Sequence, residues 1–204
     1  MYRFVKRVFD ILLSLLAIIA LLPVLVAIFI AIRLTSRGPA IFSQERAGKN
    51  ATPFTLYKFR TMKIGIDPFG ASPKSQVDPR LTKIGIFLRE YSLDELPQLF
   101  NITKGDMTLV GPRPLYVSQI AEWNPTQKQR LLVKPGLTGL AQISGRGELT
   151  IEAKLALDVE YVGTAGFLTD VKIVIATIGC VFGKSSIYEK KYSQTRETRG
   201  DKSR

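Results

Sequence analysis

From Ile11 to Ile32 the chain carries 22 consecutive uncharged residues, and only Ser14 among them has a polar side-chain group. At about 1.5 Å rise per residue, a helix of that length measures roughly 33 Å, enough to cross the hydrocarbon core of a bilayer. A helix apolar on every side leaves no face for water, which argues against an ordinary core helix. A secretory leader is also a poor fit. Its apolar stretch is about 7–15 residues and precedes a small-residue cleavage site, which this run lacks. Membrane association follows. Pro23 divides the run, removes one backbone hydrogen bond and predicts a kink near Leu22. Arg3, Lys6 and Arg7 precede the run, and Arg33, Arg37 and Arg46 follow it, so flanking charge assigns no orientation to a spanning helix. On physical grounds alone, a spanning helix and a re-entrant helix that bends at Pro23 stand as equal alternatives.

The total length of 204 residues leaves room for one domain beside this helix and excludes a large multidomain enzyme or a polytopic transporter. With 29 Lys and Arg against 17 Asp and Glu, the formal charge is +12. Lys184 to Arg204 contributes seven basic and three acidic residues and reads as a flexible basic tail. Basic residues beside a membrane segment point to anionic headgroups. Nucleic acid is not an expected partner, because no helix-turn-helix, RNA-binding or zinc-finger pattern accompanies the charge. A lone cysteine, Cys180, excludes an intrachain disulfide and a cysteine-based zinc cluster. The chain has no histidine, so catalysis through a Ser-His-Asp triad, an HExxH zinc site or an imidazole base is excluded too. Carboxylates, Lys, Arg, hydroxyls and backbone remain.

Ser36-Arg37-Gly38-Pro39 ends the apolar helix. Ala40–Gln44 and Phe54–Phe59 are β-prone runs around Gly48-Lys49-Asn50, which predicts a hairpin. Ile64 to Pro79 reads as a long loop, and Thr82–Tyr91, Leu115–Trp123, Pro125–Val133 and Thr150–Val162 as helices. Phe167–Phe182, apolar apart from Asp170 and Lys172 among its charged positions, is either a core helix or one lying in the membrane interface.

Gly179 to Ser185 imitates a phosphate-binding loop but has three residues between its glycines where four are needed. The densest polar stretch is REYSLDELPQLFNITKGDMTLVGPRP, from Arg89 to Pro114. Ser92 and Glu95 have capping-box spacing, which would make them structural. The functional alternative treats Asp94 and Glu95 as a carboxylate pair able to bind a divalent cation or to supply a nucleophile to phosphorus. Arg113, clamped between Pro112 and Pro114, is stiff enough to grip phosphate, and Arg89 offers a second positive group. Lys134 to Gly147 holds four glycines in 14 residues, with Lys134 and Arg146 beside them, and is either an anion cradle or a surface loop.

Tyr57-Lys-Phe-Arg-Thr-Met62, Ser92 to Asn101, Lys104 to Pro114, Lys134 to Gly147 and Leu157 to Val162 occur in an order and spacing that resembles one family. It comprises the bacterial sugar transferases that initiate surface-glycan assembly, the monotopic phosphoglycosyl transferases. The resemblance runs from Lys6 to about Phe182 and suggests the minimal form. It implies transfer of a sugar-1-phosphate from a UDP-sugar to polyprenyl (undecaprenyl) phosphate, with release of UMP. Asp94 would be the nucleophile of a covalent phospho-sugar intermediate, with Mg2+ at Asp94 and Glu95. Arg113 would hold phosphate, and the matching segments extend that role to Arg89, Lys58, Arg60, Arg146 and Gln142. The resemblance also favours the re-entrant form of the helix, although Leu22 stands where some relatives carry a small polar residue.

The implied fold is mainly α with a few short strands (α+β). A re-entrant membrane helix over 1–37 and interfacial amphipathic helices surround a compact cytoplasmic catalytic domain over 38–183, followed by the tail over 184–204. The implied location is the cytoplasmic face of the bacterial inner membrane, with a homodimer and downstream glycosyltransferases as further partners. Selectivity for the sugar is expected in the Ile64–Pro79 loop and around Arg146. A catalytically silent membrane adaptor of a glycan-assembly complex is the competing reading. A transferase that moves the sugar alone and releases UDP is another.

Overall fold

The computed structural model describes residues 1–67, 73 and 75–182; the expected tail and residues 68–72 and 74 of the expected loop lie outside the described residues. Helix α1 runs from Tyr2 to Thr35, 34 residues or about 51 Å. Pro23 lies inside it, and the helical backbone continues on both sides. The proline removes one rung of the hydrogen-bond ladder without ending the helix, because each half is held separately by packing.

One stripe of α1 is buried: Asp10, Ser14, Leu25, Ile28 and Ile32. Much of its remaining surface between Ile11 and Phe29 is apolar and exposed, as at Leu16, Ile19 and Leu22. Strands β1 (Ile41–Ala47) and β2 (Pro53–Phe59) form the expected antiparallel hairpin, with Ile41 opposite Phe59 and Ala47 opposite Pro53. Helix α2 (Lys83–Glu90) is capped by Thr82, whose hydroxyl accepts the Gly85 N–H. Leu25, Ile28 and Ile32 close a core with Ala40, Phe59 and Leu88.

Helix α3 (Gln98–Lys104) starts behind Pro97 and stops at Gly105, whose φ of 101° ends it. It packs Leu99 and Ile102 on Phe54, Leu56 and Met107, with Ala17 and Ile18 of α1 along the edge. The arginine at the start of α1 fastens it there, since Arg7 donates to the carbonyls of Ile102 and Thr103 at the end of α3. Strand β3 (Thr108–Val110) pairs in parallel with β4 (Gly136–Thr138). Asp10 reaches β3 from α1, accepting the Thr108 hydroxyl and the Leu109 N–H.

Between these strands the expected helices are shorter and tighter than their patterns suggest. Leu115–Trp123 is a 3-10 helix over Val117–Glu122. Pro125–Val133 is α4 (Pro125–Lys128) followed by a 3-10 turn over Gln129–Leu132. Segments this short gain too few rungs to favour the α form, and local caps and tertiary contacts decide their geometry. Helix α5 (Leu140–Ile143) leads to α6 (Ile151–Thr164), which Thr150 caps.

Helix α7 (Phe167–Phe182) is part of the core on one side only. Ile173 packs with Val110 and Tyr161, while Phe167, Leu168, Ile175 and Ile178 are exposed. Asp170 ties α7 to α1 and α6 by accepting hydrogen bonds from Tyr2 (2.7 Å), Lys6 (2.5 Å) and Tyr161 (2.7 Å). The fold is mainly helical with a few short strands, as expected.

Candidate active site

Asp94 and Glu95 sit in a single 3-10 turn, Leu93–Glu95, between α2 and α3. Ser92 ahead of them adopts a left-handed conformation (φ 56°), and its side chain makes no cap hydrogen bond. The capping box is therefore not formed. The Glu95 carboxylate is turned elsewhere: its Oε1 accepts from Lys58 Nζ at 3.3 Å and from Arg113 Nη2 at 2.6 Å.

Strand geometry explains how Lys58 arrives. Side chains alternate along β2, so Phe54, Leu56 and Lys58 share a face; the first two enter the core against α3, and the third reaches the turn just before it. Arg113 follows β3, where backbone contacts fix the chain. The Val110 carbonyl accepts from Lys6 and Tyr161, and the Pro112 carbonyl accepts from the Gly136 N–H. Gly111 is required there, since a β-carbon would lie 2.6 Å from the Lys134 carbonyl oxygen.

The two carboxylates have opposite electrostatics. Burial alone would raise both. Arg113 and Lys58 more than offset it at Glu95, which stays well below the usual carboxylate range. Asp94 is 7% exposed and accepts no hydrogen bond or ion pair among the described residues. Burial and the neighbouring Glu95 charge push its carboxyl up to about 6, opposed by Lys58, Arg89 and Arg113 at longer range. Burial also lowers the Lys58 ammonium, with Glu95 working against that shift. The pair is thus one locked, ionised carboxylate beside one unpartnered carboxylate in a cationic surround.

The remaining predicted residues divide. Arg89 is near enough for its charge to reach Asp94, and its Nε donates to the Thr61 hydroxyl at 3.0 Å. Arg146, in a left-handed conformation (φ 47°), lies within electrostatic reach of Glu95 and Arg113. Gln142 is buried, and neither atom of its amide has a partner; no contact joins it to the carboxylate pair. Arg60 is placed apart from the others. Its guanidinium donates to the carbonyls of Pro39 and Ser36 and to the Ser36 hydroxyl, so it secures the chain leaving α1 instead of facing the pair.

One residue was missed by the sequence reading. Arg46 counted there only as positive charge after the membrane run, yet it lies 3.6 Å from the Tyr116 ring centroid and within reach of the Glu95 and Arg113 charges. Its place near the end of a strand, two residues after the buried Gln44, was the available signal.

A separate apolar groove of about 410 Å³ lies between α1 and the hairpin. Its walls include Leu22, Leu25, Val26 and Phe29 of α1, Tyr57 and Phe59 on the face of β2 opposite Lys58, and Pro97 and Phe100. Among the described residues, no cluster of three or more acidic, histidine or cysteine side chains could hold a metal ion. Cationic groups at the site outnumber the two carboxylates, so it suits an anionic ligand.

The family model described as Bacterial sugar transferase matches residues 1–184. An uncharacterized sugar transferase of Bacillus subtilis, EpsL, is 40% identical over 187 residues, 92% of each chain. The galactosyl transferase CpsE of Streptococcus agalactiae is 44% identical over 170 residues, 77% of this chain and 38% of that protein. The UDP-glucose:undecaprenyl-phosphate glucose-1-phosphate transferase of Escherichia coli is 40% identical over 194 residues, 91% of this chain and 42% of that protein. The chain thus spans less than half the length of the latter two relatives and nearly all of EpsL.

Proposed function

The chain belongs to the bacterial sugar transferase family, and from that premise we propose that it moves a sugar-1-phosphate from a UDP-sugar to polyprenyl phosphate and releases UMP. The observation that carries this reading is the unpartnered, buried Asp94 carboxylate beside a Glu95 locked by Lys58 and Arg113. The name of the Escherichia coli relative states this type of transfer for that protein.

In the first half-reaction an Asp94 oxygen attacks the phosphorus that bears the sugar. The bond from that phosphorus to the bridging oxygen breaks, and UMP leaves with the bridging oxygen and its electron pair. In the second, a phosphate oxygen of the polyprenyl phosphate attacks the same phosphorus, expels Asp94 and yields the polyprenyl diphospho-sugar. Arg113, Arg89 and Arg146 hold the charge that would otherwise repel a carboxylate from a diphosphate. The polyprenyl tail occupies the groove between α1 and β2, whose wall at Pro97 begins two residues beyond Glu95 in the chain.

Mg2+ belongs to this reading. Both hydrogen-bonding cations at Glu95 are already in place, whereas Asp94 has no partner among the described residues. One carboxylate together with substrate phosphate oxygens and water is a donor set that Mg2+ accepts. When bound, the ion neutralises charge on the transferring phosphoryl group.

The contacts of α1 favour the re-entrant topology. Tyr2 and Lys6 at one end and Ile32 at the other touch the same domain. A helix crossing straight through a core of about 30 Å would leave one of those ends on the far side. The exposed apolar faces of α1 and α7 then share one lipid-facing layer, with the site on the cytoplasmic side where UDP-sugars are found.

The test is a panel of UDP-sugars with detergent-purified protein, polyprenyl phosphate and Mg2+, reading UMP. Release of UMP that Asp94→Asn abolishes is the expected result. Near-normal release by that variant overturns the covalent mechanism. Release of UDP would point to transfer of the sugar alone, and no nucleotide release to an adaptor.

A further inference from the structure

Arg113 carries the main contact to Glu95, yet its side chain is 44% exposed, and an exposed arginine samples several rotamers. Its main chain is far more constrained. Nη2 of Arg130 donates to the Arg113 carbonyl oxygen at 2.5 Å. The same guanidinium donates to Oδ2 of Asp158 through Nε (3.0 Å) and Nη2 (2.8 Å), and lies 4.8 Å from the centroid of the Trp123 ring. Arg130 is 3% exposed and Asp158 2%. The Arg113 amide also lies beside the Asp158 carboxylate and favours its charged form. The Arg113 peptide is therefore seated on a buried ion pair supplied by two other elements, the turn after α4 and helix α6.

A buried ion pair gives little net stability compared with a well-packed apolar pair, so stability alone does not account for this one. Its remaining work is directional. We infer that Arg130 and Asp158 are positioning residues for Arg113: they hold its carbonyl and thereby set the direction in which its side chain leaves the backbone. With that direction fixed, the Arg113 guanidinium meets both Glu95 and an anion bound beside it. Without it, Arg113 keeps its charge and loses its aim. The inference rests on the transferase reading for its functional meaning, but not for its physical test.

The test uses Arg130→Met/Asp158→Leu, which removes both charges together and leaves no buried ion unpaired. It is compared with Arg113→Ala and with the combination of all three substitutions. Three quantities are read: the thermal midpoint, hydrogen exchange over residues 111–115, and affinity for UDP, with UMP release measured in parallel. The charge-pair variant should keep its midpoint within a few degrees, exchange about tenfold faster over 111–115 and bind UDP about tenfold more weakly. Placed on Arg113→Ala, it should weaken UDP binding less than about twofold further, because groups acting through one another are not additive.

Wild-type exchange and affinity in the charge-pair variant would overturn the inference. So would a loss that multiplies fully onto Arg113→Ala, as an independent structural effect would. Should that variant fail to fold, Arg130→Lys decides by the same readouts, since it keeps the charge pairing but loses the guanidinium fork. A wild-type protein that binds UDP and releases no UMP would overturn the transferase reading and leave this test intact.

Discussion

In the proposed reaction Asp94 attacks phosphorus only when ionised, and its carboxyl is pushed up to about 6 by burial and the Glu95 charge. A raised value means that the ionised form is lost as pH falls through 6, so activity should show an acid limb there. With half-ionisation at pH 6, about nine-tenths of Asp94 is ionised at pH 7 and about one-tenth at pH 5, a fall of roughly tenfold. An aspartate at its ordinary value of about 3.9 would lose less than a tenth of its ionised form over the same interval. The assay is the burst of UMP formed without acceptor, so that titration of polyprenyl phosphate does not enter. Two neutralising substitutions give the sign. Glu95→Gln removes a negative neighbour and should move the limb to lower pH, while Arg89→Met removes a positive one and should move it higher, each by the order of one pH unit. A wild-type limb below pH 4.5, or a shift of both variants in the same direction, would refute the assignment of Asp94.

Chelation by EDTA should abolish UMP release, and added Mg2+ should restore it; release that persists in EDTA would remove the metal from the reading. Asp10, 4% exposed, accepts hydrogen bonds from Thr108 and Leu109. Asp10→Ala should cost about 2–4 kcal/mol, read as a lower thermal midpoint in detergent. Gly85→Ala would place a β-carbon 2.0 Å from the Thr61 carbonyl oxygen and should abolish soluble, folded yield in detergent. Ile175→Asp, on the exposed face of α7, should leave the detergent midpoint unchanged and lower activity severalfold in vesicles. Equal vesicle activity would show that this face does not meet lipid.

The hairpin, α2, α6 and α7 were legible in the sequence because each has a strong period or a clear cap, such as Thr82 and Thr150. The carboxylate pair was legible as chemistry but ambiguous in local structure. A left-handed Ser92 cannot be read from a capping-box spacing, since tertiary partners at Lys58 and Arg113 decide where Glu95 points. Arg46 and Arg60 exchanged places for a similar reason. Only the packing shows that Arg46 stacks on Tyr116 within reach of the Glu95 charge and that Arg60 grips the end of α1. The buried stripe on α1 was hidden by the uniform hydrophobicity of the run, which marks no side as inward.

That stripe has a consequence for biogenesis. Phe59 and Leu88 complete their core only with Leu25, Ile28 and Ile32, and α3 lies against Ala17 and Ile18. Helix α1 precedes these segments in the chain and supplies one wall of each core on which they assemble. Deleting α1 to obtain a water-soluble enzyme would open two cores at once. The product of such a truncation would be an aggregate, and a nanodisc or detergent micelle is part of the minimal preparation in which the turn at Asp94 can form.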